Sequence, residues 1–95
     1  MLKIKIEKRF KRDIERDGRS GNYSKLDFEV LKDIIERLQE GKPIDHIYKK
    51  HRLNGEFNGY EAIHIKNDWI LIFRIEKSFL KFAMIGKHIQ IYKKF

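Results

Sequence analysis

A run of apolar residues at 69–73 limits the folds open to this chain more than any other feature. The run reads Trp-Ile-Leu-Ile-Phe, and consecutive aromatic and β-branched side chains are typical of a strand that is covered on both faces. Residues 60–65 instead alternate between two unlike sets, Tyr60, Ala62 and His64 in one and Glu61, Ile63 and Ile65 in the other, as a strand with two different faces does. The polar residues 66–68 separate the two segments. The stretch therefore predicts a β-hairpin whose second strand is buried on both sides.

Strands are also predicted towards both ends of the chain. Near the amino terminus, charged residues alternate with apolar residues that would form one buried face, namely Leu2, Ile4 and Ile6. Residues 78–85 alternate in the same way, with Leu80, Phe82 and Met84 on one side. A turn at 86–88 follows, and residues 89–92 are expected to form a short last strand or a packed tail.

Two helices are predicted between the first strand and the hairpin. Residues 8–17 are rich in charge, and we expect a short helix that ends at Gly18. Ser24 and Asp27 have the spacing of a capping box at the start of a second helix. That helix carries one apolar stripe and ends before Gly41; the stripe consists of Leu26, Val30, Leu31, Ile34, Ile35 and Leu38.

Residues 1–95 are expected to form a single small domain, because no linker, repeat or low-complexity segment divides them. The order of elements is β-α-α-β-β-β, to which the short last strand would be an addition. The apolar stripe of the second helix must be buried, and the sheet that follows must be covered. The sequence therefore predicts an α+β fold in which two amino-terminal helices pack on one face of a twisted antiparallel sheet.

The charge of the chain favours a polyanionic partner. Basic residues exceed acidic ones to give a formal net charge of +8, which suits nucleic acid or an acidic protein. The chain has no cysteine, so disulfides and thiolate metal sites are excluded. The amino terminus lacks the apolar core of a signal peptide, and the longest apolar run is too short to span a bilayer. We expect a cytoplasmic protein with no membrane partner.

Histidine is the side chain best suited to moving protons near neutral pH, and the chain has four: His46, His51, His64 and His88. RNA cleavage needs a base for the 2′-hydroxyl, an acid for the departing 5′-oxygen and cations for the charge of the transition state. The predicted hairpin would place His64 near Asp68 in its turn, with His51 and His88 entering from flanking loops. A lone histidine is more often structural, which is how we interpret His46.

Three segments and one histidine carry a resemblance to a known family. The segments are Leu-Asn-Gly-Glu-Phe-Asn-Gly-Tyr at 53–60, Asn-Asp-Trp-Ile-Leu-Ile-Phe at 67–73 and Gly-Lys-His at 86–88, with His64 between the first two. In order and spacing they resemble the YafQ branch of the RelE/ParE toxins of bacterial toxin–antitoxin systems. Each motif alone would be weak, but all of them occur in register across nearly the whole chain. The resemblance implies a RelE-like fold.

The resemblance also implies an active site made of His51, His64, Asp68 and His88, each of which matches the family pattern. We interpret His51 and His88 as the proton-transfer pair, with either order of base and acid open. His64 and Asp68 would position groups or adjust pKa values. No metal or other cofactor is expected, because the family needs none and only His46 and His51 approach the sequence spacing of a zinc site.

Substrate contacts are expected from aromatic and basic residues around these four, namely Trp69, Tyr92, Lys50, Arg52, Arg74 and Lys87. Tyr92 lies where the family pattern usually has phenylalanine and could stack on a base. Trp69 would support the site or offer its ring to a base, although its place at the head of an apolar run favours the core. Lys49, Lys50 and Arg52 flank His51, as Lys87, Lys93 and Lys94 flank His88.

One position departs from the family pattern. Many members have an arginine two residues before the glycine of the Gly-x-His motif, and Met84 occupies that position here. Such an arginine would help to neutralise the phosphate that is cleaved. Lys87 or Arg74 is the expected substitute.

The function that the resemblance implies is a ribosome-dependent mRNA endonuclease, the toxin of a type II toxin–antitoxin pair, which cuts message in the ribosomal A site. The implied partners are an antitoxin with an acidic segment, the ribosome and mRNA, with DNA reached only through the antitoxin complex. Two alternatives belong to other classes. One is a non-catalytic toxin of the ParE type that inhibits gyrase, and the other is a basic module that binds RNA or the ribosome.

Overall fold

The computed structural model describes residues 1–92, which form a mixed sheet with two helices packed on one face. The strands are β1 (Lys3–Ile6), β2 (His51–Arg52), β3 (Glu61–Lys66), β4 (Trp69–Glu76) and β5 (Phe79–Gly86), and the helices are α1 (Lys8–Ser20), α2 (Lys25–Gln39) and α3 (His88–Ile91). Two 3₁₀ turns, His46–Tyr48 and Gly55–Phe57, flank β2. Within the described residues the strand order is β1-β5-β4-β3-β2, parallel between β1 and β5 and antiparallel elsewhere. The predicted α+β class is confirmed, but the sheet is not antiparallel throughout as expected, because β1 runs parallel to β5.

The hairpin of β3 and β4 forms the middle of the sheet, as the sequence predicts. Every residue of the run 69–73 is 0% exposed. Trp69, Leu71 and Phe73 belong to the core beneath the helices, whereas Ile70 and Ile72 face the opposite side. A strand covered on both faces needs apolar side chains at every position, which is why this run does not alternate.

The helices supply the larger of the two apolar cores. Phe10 of α1 and Leu31, Ile34 and Leu38 of α2 pack against the helix-facing side chains of β3, β4 and β5. The capping box of α2 is confirmed, because Ser24 Oγ accepts from the Asp27 N–H at 3.1 Å and Asp27 Oδ2 accepts from the Ser24 N–H at 2.8 Å.

Helix α1 ends later than the sequence indicates. It continues past Gly18 to Ser20, and Gly21 takes the left-handed conformation at its end, with φ of 75°. Two glycines lie close together here, and the one that follows the last helical turn provides the left-handed residue. Within residues 1–92, none of the helices is long and apolar enough to cross a bilayer.

Three further expectations about the strands are wrong in detail. Strand β1 does not bury one face, since Ile4 is 40% and Ile6 54% exposed; it lies at the edge of the sheet and pairs with β5 alone among the described residues.

Met84 does not share a face with Leu80 and Phe82. A bulge between β4 and β5 pairs Ile72 with Met84 and Phe73 with Phe82, and the extra residue reverses the alternation. The last predicted strand is helix α3.

A buried polar network joins α1 to the end of β5. Asp13 and Asp17 are only 6% and 4% exposed. Asp13 Oδ2 accepts from the Ile85 N–H at 3.1 Å, and Asp17 Oδ2 accepts from the indole N–H of Trp69 at 2.8 Å. Arg16 donates to both carboxylates and to the carbonyl of Ile85 at 2.9 Å. Buried charges are tolerated when they are paired in this way, and the network fixes the strand end that precedes His88.

Gly86, at the end of β5, lies against side chains of α3 and α1. A Cβ at this position would lie 2.8 Å from Gln90 Oε1 and 3.0 Å from Arg16 Nη2. We expect Gly86→Ala to lower the free energy of unfolding by about 1–3 kcal/mol, since these atoms can move only by giving up their hydrogen bonds to the Lys87 N–H and the Ile85 carbonyl. Urea denaturation measures this change. Gly18→Ala is the matched control: its Cβ would meet nothing within 4 Å, so it should stabilise α1 by about 0.5–1 kcal/mol. Equal stability of the two variants would contradict the packing described.

Candidate active site

Three of the four histidines gather on the face of the sheet opposite α1 and α2. The ring centroids of His51 and His64 are 5.8 Å apart, and those of His64 and His88 are 5.5 Å apart. Strand pairing explains the arrangement. His51 in β2 pairs with Ala62, two residues from His64 in β3, and His64 pairs with Ile70, which pairs with Gly86 just before His88.

His51 is held in one tautomer by the backbone of Lys49. Its Nδ1 lies 2.7 Å from the carbonyl oxygen of Lys49, and because a carbonyl can only accept, Nδ1 must carry the hydrogen. A neutral His51 ring therefore leaves the lone pair on Nε2. Lys49 itself has a positive φ of 50°, which is unusual for a residue other than glycine and turns its carbonyl towards the His51 ring.

His88 is held by Asp68. One carboxylate oxygen, Oδ1, accepts from the backbone N–H of His88 at 2.8 Å and from ring Nδ1 at 2.7 Å. The pKa of Asp68 is lowered, first by the backbone hydrogen bond and then by the ring hydrogen bond. An acceptor at Nδ1 orients the ring and fixes the tautomer, as the aspartate does in hydrolytic triads. Nε2 of His88 is thus the nitrogen left to exchange a proton with a substrate.

His64 lies between the other two histidines and is half-buried. Its pKa is lowered from the ordinary value of 6.5, chiefly by burial and further by the neighbouring charges of His88, His51 and Lys49. Protonation of His64 is therefore disfavoured. Because the folded-state pKa is lowered, His64 contributes stability that is present above the unfolded value and lost as the pH falls through the folded value.

We expect an NMR titration of the histidine rings to show His64 titrating below 6.5. Lys49→Met should bring its pKa closer to that value, because one of the opposing charges is removed. Lys32→Met, on the exposed side of α2, is the control and should leave His64 unchanged. An identical pKa of His64 in both variants would show that the ammonium of Lys49 is not near the ring.

A cleft of about 430 Å³ opens beside His64 and His88. Its other walls are Ile47, Tyr48, Lys49, Ile65, Lys66 and Asn67. Lys66 is engaged by Asp27, whose Oδ2 lies 3.1 Å from its Nζ. Lys49 is thus a second cation beside the histidines, and it is not among the substrate contacts expected from the sequence. The signal for it was the basic pair directly before His51.

Comparison with known proteins places the chain in a family. Residues 2–93 match the family model described as the bacterial toxin of type II toxin–antitoxin systems, YafQ. The chain belongs to the YafQ toxin family. The resemblance found in the sequence is confirmed, and so is the RelE-like fold that it implied.

Characterised YafQ proteins are similar over most of their length. The mRNA interferase toxin YafQ of Escherichia coli is 33% identical over 88 residues, which span 85% of this chain and 96% of that protein. YafQ in the Escherichia coli DinJ–YafQ complex is 26% identical with a TM-score of 0.83, over 97% of this chain and 99% of that one. A copper-bound mutant toxin from Helicobacter pylori is 26% identical with a TM-score of 0.86, over 96% and 99% of the two chains.

The copper is a property of the Helicobacter toxin. Among residues 1–92 of this chain, no group of three histidine, aspartate, glutamate or cysteine side chains with the arrangement of a metal site is found.

Two of the six expected substrate contacts, Tyr92 and Lys87, lie near the histidines. The ring of Tyr92 is 6.1 Å from that of His88 and 5.6 Å from that of Phe57, centroid to centroid. The charge of Lys87 helps to lower the pKa of Asp68. Lys93 and Lys94, expected beside His88, lie outside the described residues.

The structure places Trp69 in the core, the position that the head of an apolar run favoured, and away from the histidines. It is 0% exposed and packs in the core beneath the helices, on the face opposite Ile70. Its ring stacks on that of Tyr23 with a centroid distance of 4.1 Å. Trp69 supports the site only by fixing the start of β4.

Three of the expected basic residues are also directed elsewhere. Arg74 lies four residues beyond Ile70 on β4, roughly 13 Å along the strand, with Nη2 bound to Glu76 at 2.8 Å and its guanidinium 5.2 Å from the ring centre of Tyr60. Arg52 lies opposite Glu61 in the pairing of β2 with β3, and its side chain is on the face of the sheet away from His51. Lys50 Nζ is 3.9 Å from the same glutamate. The structure thus places Arg74 away from the histidines, beside which a substitute for the arginine missing at position 84 was expected.

Proposed function

We propose that this chain is the toxin of a type II toxin–antitoxin pair and a ribosome-dependent endonuclease that cleaves mRNA in the A site. The observation that carries the proposal is the pair His51 and His88. Each has Nδ1 fixed by an acceptor and Nε2 left for proton transfer, and they flank a third histidine beside an open cleft. The Escherichia coli relative is named as an mRNA interferase, which is an endoribonuclease activity.

The chemistry follows from these two rings. One imidazole takes the proton of the 2′-hydroxyl while the 2′-oxygen forms a bond to phosphorus. The bond from phosphorus to the 5′-oxygen breaks, and the other imidazole gives that oxygen a proton. The products are a 2′,3′-cyclic phosphate and a 5′-hydroxyl. His64, kept neutral by its lowered pKa, would donate or accept a hydrogen bond without adding charge, and Asp68 would orient His88.

Lys49 is the residue that we assign to the developing charge on the phosphate. It lines the cleft with His64 and His88, and within residues 1–92 no acidic oxygen is close enough to form an ion pair with it. A preorganised cation beside the charge of the transition state is among the largest catalytic contributions. Met84 lies on the same face beside Ile72 and supplies no charge.

The partners follow from charge and from the relatives. Escherichia coli YafQ is found in a complex with DinJ, and a comparable antitoxin with an acidic segment would cover the basic site of this chain. DNA would be reached through that complex. The net charge of +8 suits ribosomal RNA, and binding to the ribosome would hold the message in line for attack. This function places the protein in the cytoplasm.

Primer extension on a defined message with purified ribosomes tests the proposal. We expect cuts at fixed codon positions that require both the ribosome and the protein. A gyrase supercoiling assay run beside it addresses the ParE-like alternative, for which inhibition of supercoiling without cleavage would be the result. Ribosome binding without any cut would favour the non-catalytic binding module.

A further inference from the structure

Four charged side chains of α1 are directed at the end of β5 and at α3. They are Arg9, Asp13, Arg16 and Asp17, and their spacing places all four on one side of the helix. We call them the α1 polar face. The two aspartates are buried, whereas the side chains of the two arginines are 39% and 37% exposed. None of the four lines the cleft beside the histidines.

Two members of the α1 polar face bind both backbone polar groups of Ile85. Strand β1 pairs with β5 only as far as Phe82, so Ile85 lies beyond the strand that occupies this edge. Asp13 Oδ2 accepts from the Ile85 N–H at 3.1 Å, and Arg16 Nη2 donates to the Ile85 carbonyl oxygen at 2.9 Å. Because buried backbone groups need partners, these side chains take the place of a neighbouring strand. They fix β5 three residues before His88.

Arg9 holds the chain on the other side of His88. Its Nη2 donates to the carbonyl oxygen of Gln90 at 2.7 Å, and its Nε lies 3.5 Å from Asp13 Oδ2. Helix α3 has only four residues, and a helix of one turn has little stability of its own. The segment that carries His88 is therefore anchored to α1 at two points, Ile85 before the histidine and Gln90 after it.

The partner of His88, Asp68, is anchored to the same face of α1. It precedes Trp69, whose indole N–H donates to Asp17 Oδ2 at 2.8 Å, and Arg16 Nη2 donates to that same oxygen at 3.1 Å. The start of β4 and the end of β5 are thus held by one ion pair of α1. A shift of either strand end would disturb the hydrogen bond between Nδ1 of His88 and Asp68.

We infer that Arg9 and Arg16 are positioning residues for His88; this inference rests on the proposed function. They act through the backbone of residues 85–90, which sets where Nε2 of His88 lies against the oxygen with which it exchanges a proton. Arginine suits this role, because its planar guanidinium donates to several acceptors in fixed directions. Removing Arg16 would also leave two buried carboxylates without their cation, so Arg9 offers the cleaner test.

Arg9→Met removes the hydrogen bond to Gln90 and one positive charge. We expect single-turnover cleavage on saturating ribosomes to slow by about 10- to 100-fold, the scale for a displacement of up to about 1 Å, with ribosome affinity unchanged. Arg12→Met removes the same charge from an exposed position of α1 and should cleave at the wild-type rate. Arg9→Lys retains a donor for the carbonyl and should recover most of the rate. The rates are compared at a temperature at which circular dichroism shows every variant to be folded.

NMR of the ring nitrogens of His88 needs no message and separates this inference from the proposed function. In the wild type Nδ1 carries the hydrogen. Arg9→Met and Arg16→Met should raise the fraction of the other tautomer, whereas Arg12→Met should not. Such a change in a protein that never cuts message would support the positioning and overturn the proposed function. If the wild type cuts message, equal rates or identical His88 spectra in Arg9→Met and Arg12→Met, or no recovery in Arg9→Lys, would overturn the inference.

Discussion

Replacing His88 with alanine is expected to slow message cleavage by about 10²–10⁴-fold, the contribution of one general acid or base. The ring is fixed by two hydrogen bonds to Asp68 at 2.7 and 2.8 Å, and alanine retains only the one from the backbone. Single-turnover cleavage on saturating ribosomes measures the chemical step apart from binding. His46→Ala is the matched control, because the His46 side chain is 97% exposed and lies outside the cluster.

The same measurement across pH assigns the roles of the two histidines. A base and an acid together give a bell-shaped profile. The variant of His51 or His88 that removes the acidic limb identifies the base, and the other variant should remove the alkaline limb. A His88→Ala protein that cleaves at the rate of His46→Ala would contradict the proton-transfer role of His88.

Replacing Trp69 with alanine is expected to lower the free energy of unfolding by about 3–5 kcal/mol, against a total of about 5–15 kcal/mol for a domain of ordinary stability. The ring is 0% exposed, stacks on Tyr23 and meets Phe28 edge to face at 5.2 Å. Its loss would also leave the buried Asp17 without the indole donor. Denaturant unfolding followed by circular dichroism measures the change.

The control for Trp69→Ala is Ile89→Ala, which truncates an apolar side chain that is 76% exposed. This change should alter the free energy of unfolding by at most about 0.5 kcal/mol. Trp69→Phe keeps most of the ring and should fall between the two. If Trp69→Ala instead left the unfolding free energy unchanged and abolished cleavage, Trp69 would be a substrate contact, the other role that the sequence left open.

Local patterns were enough to predict the hairpin of β3 and β4 and the start of α2, but not β2 and α3, which carry His51 and His88. The run 69–73, the alternation of β3 and the capping box of Ser24 and Asp27 are each decided by neighbours in the sequence. The side of the sheet on which Met84 lies could not be predicted. One extra residue in β5 reverses the alternation of side chains, and no residue type in the sequence indicates this bulge. The exposure of β1 likewise follows from its place at the sheet edge, which depends on the whole topology.

The residues of the candidate site also fall into those that the sequence predicts and those that it does not. The cluster of His51, His64, Asp68 and His88 could be predicted, because strand register and a family pattern that spans the chain both indicate it. Arg74 was expected near this cluster because of its charge, but its position along β4 places it far from the histidines. The buried network of Asp13, Arg16 and Asp17 was missed, since charged residues on a helix usually face solvent and their partners lie 52 to 72 residues away in the sequence.

The most direct test of the central claim, attack by the 2′-hydroxyl of the message, is a single 2′-deoxy substitution on the 5′ side of the cut. The protein and ribosomes are incubated with the substituted or the unmodified message, and cleavage is read by primer extension. The account predicts that the unmodified message is cut, that its upstream fragment ends in a cyclic phosphate, and that the deoxy message stays intact at that position. Cleavage of both messages at the same rate would contradict the claim, because the nucleophile would then be water or a protein group.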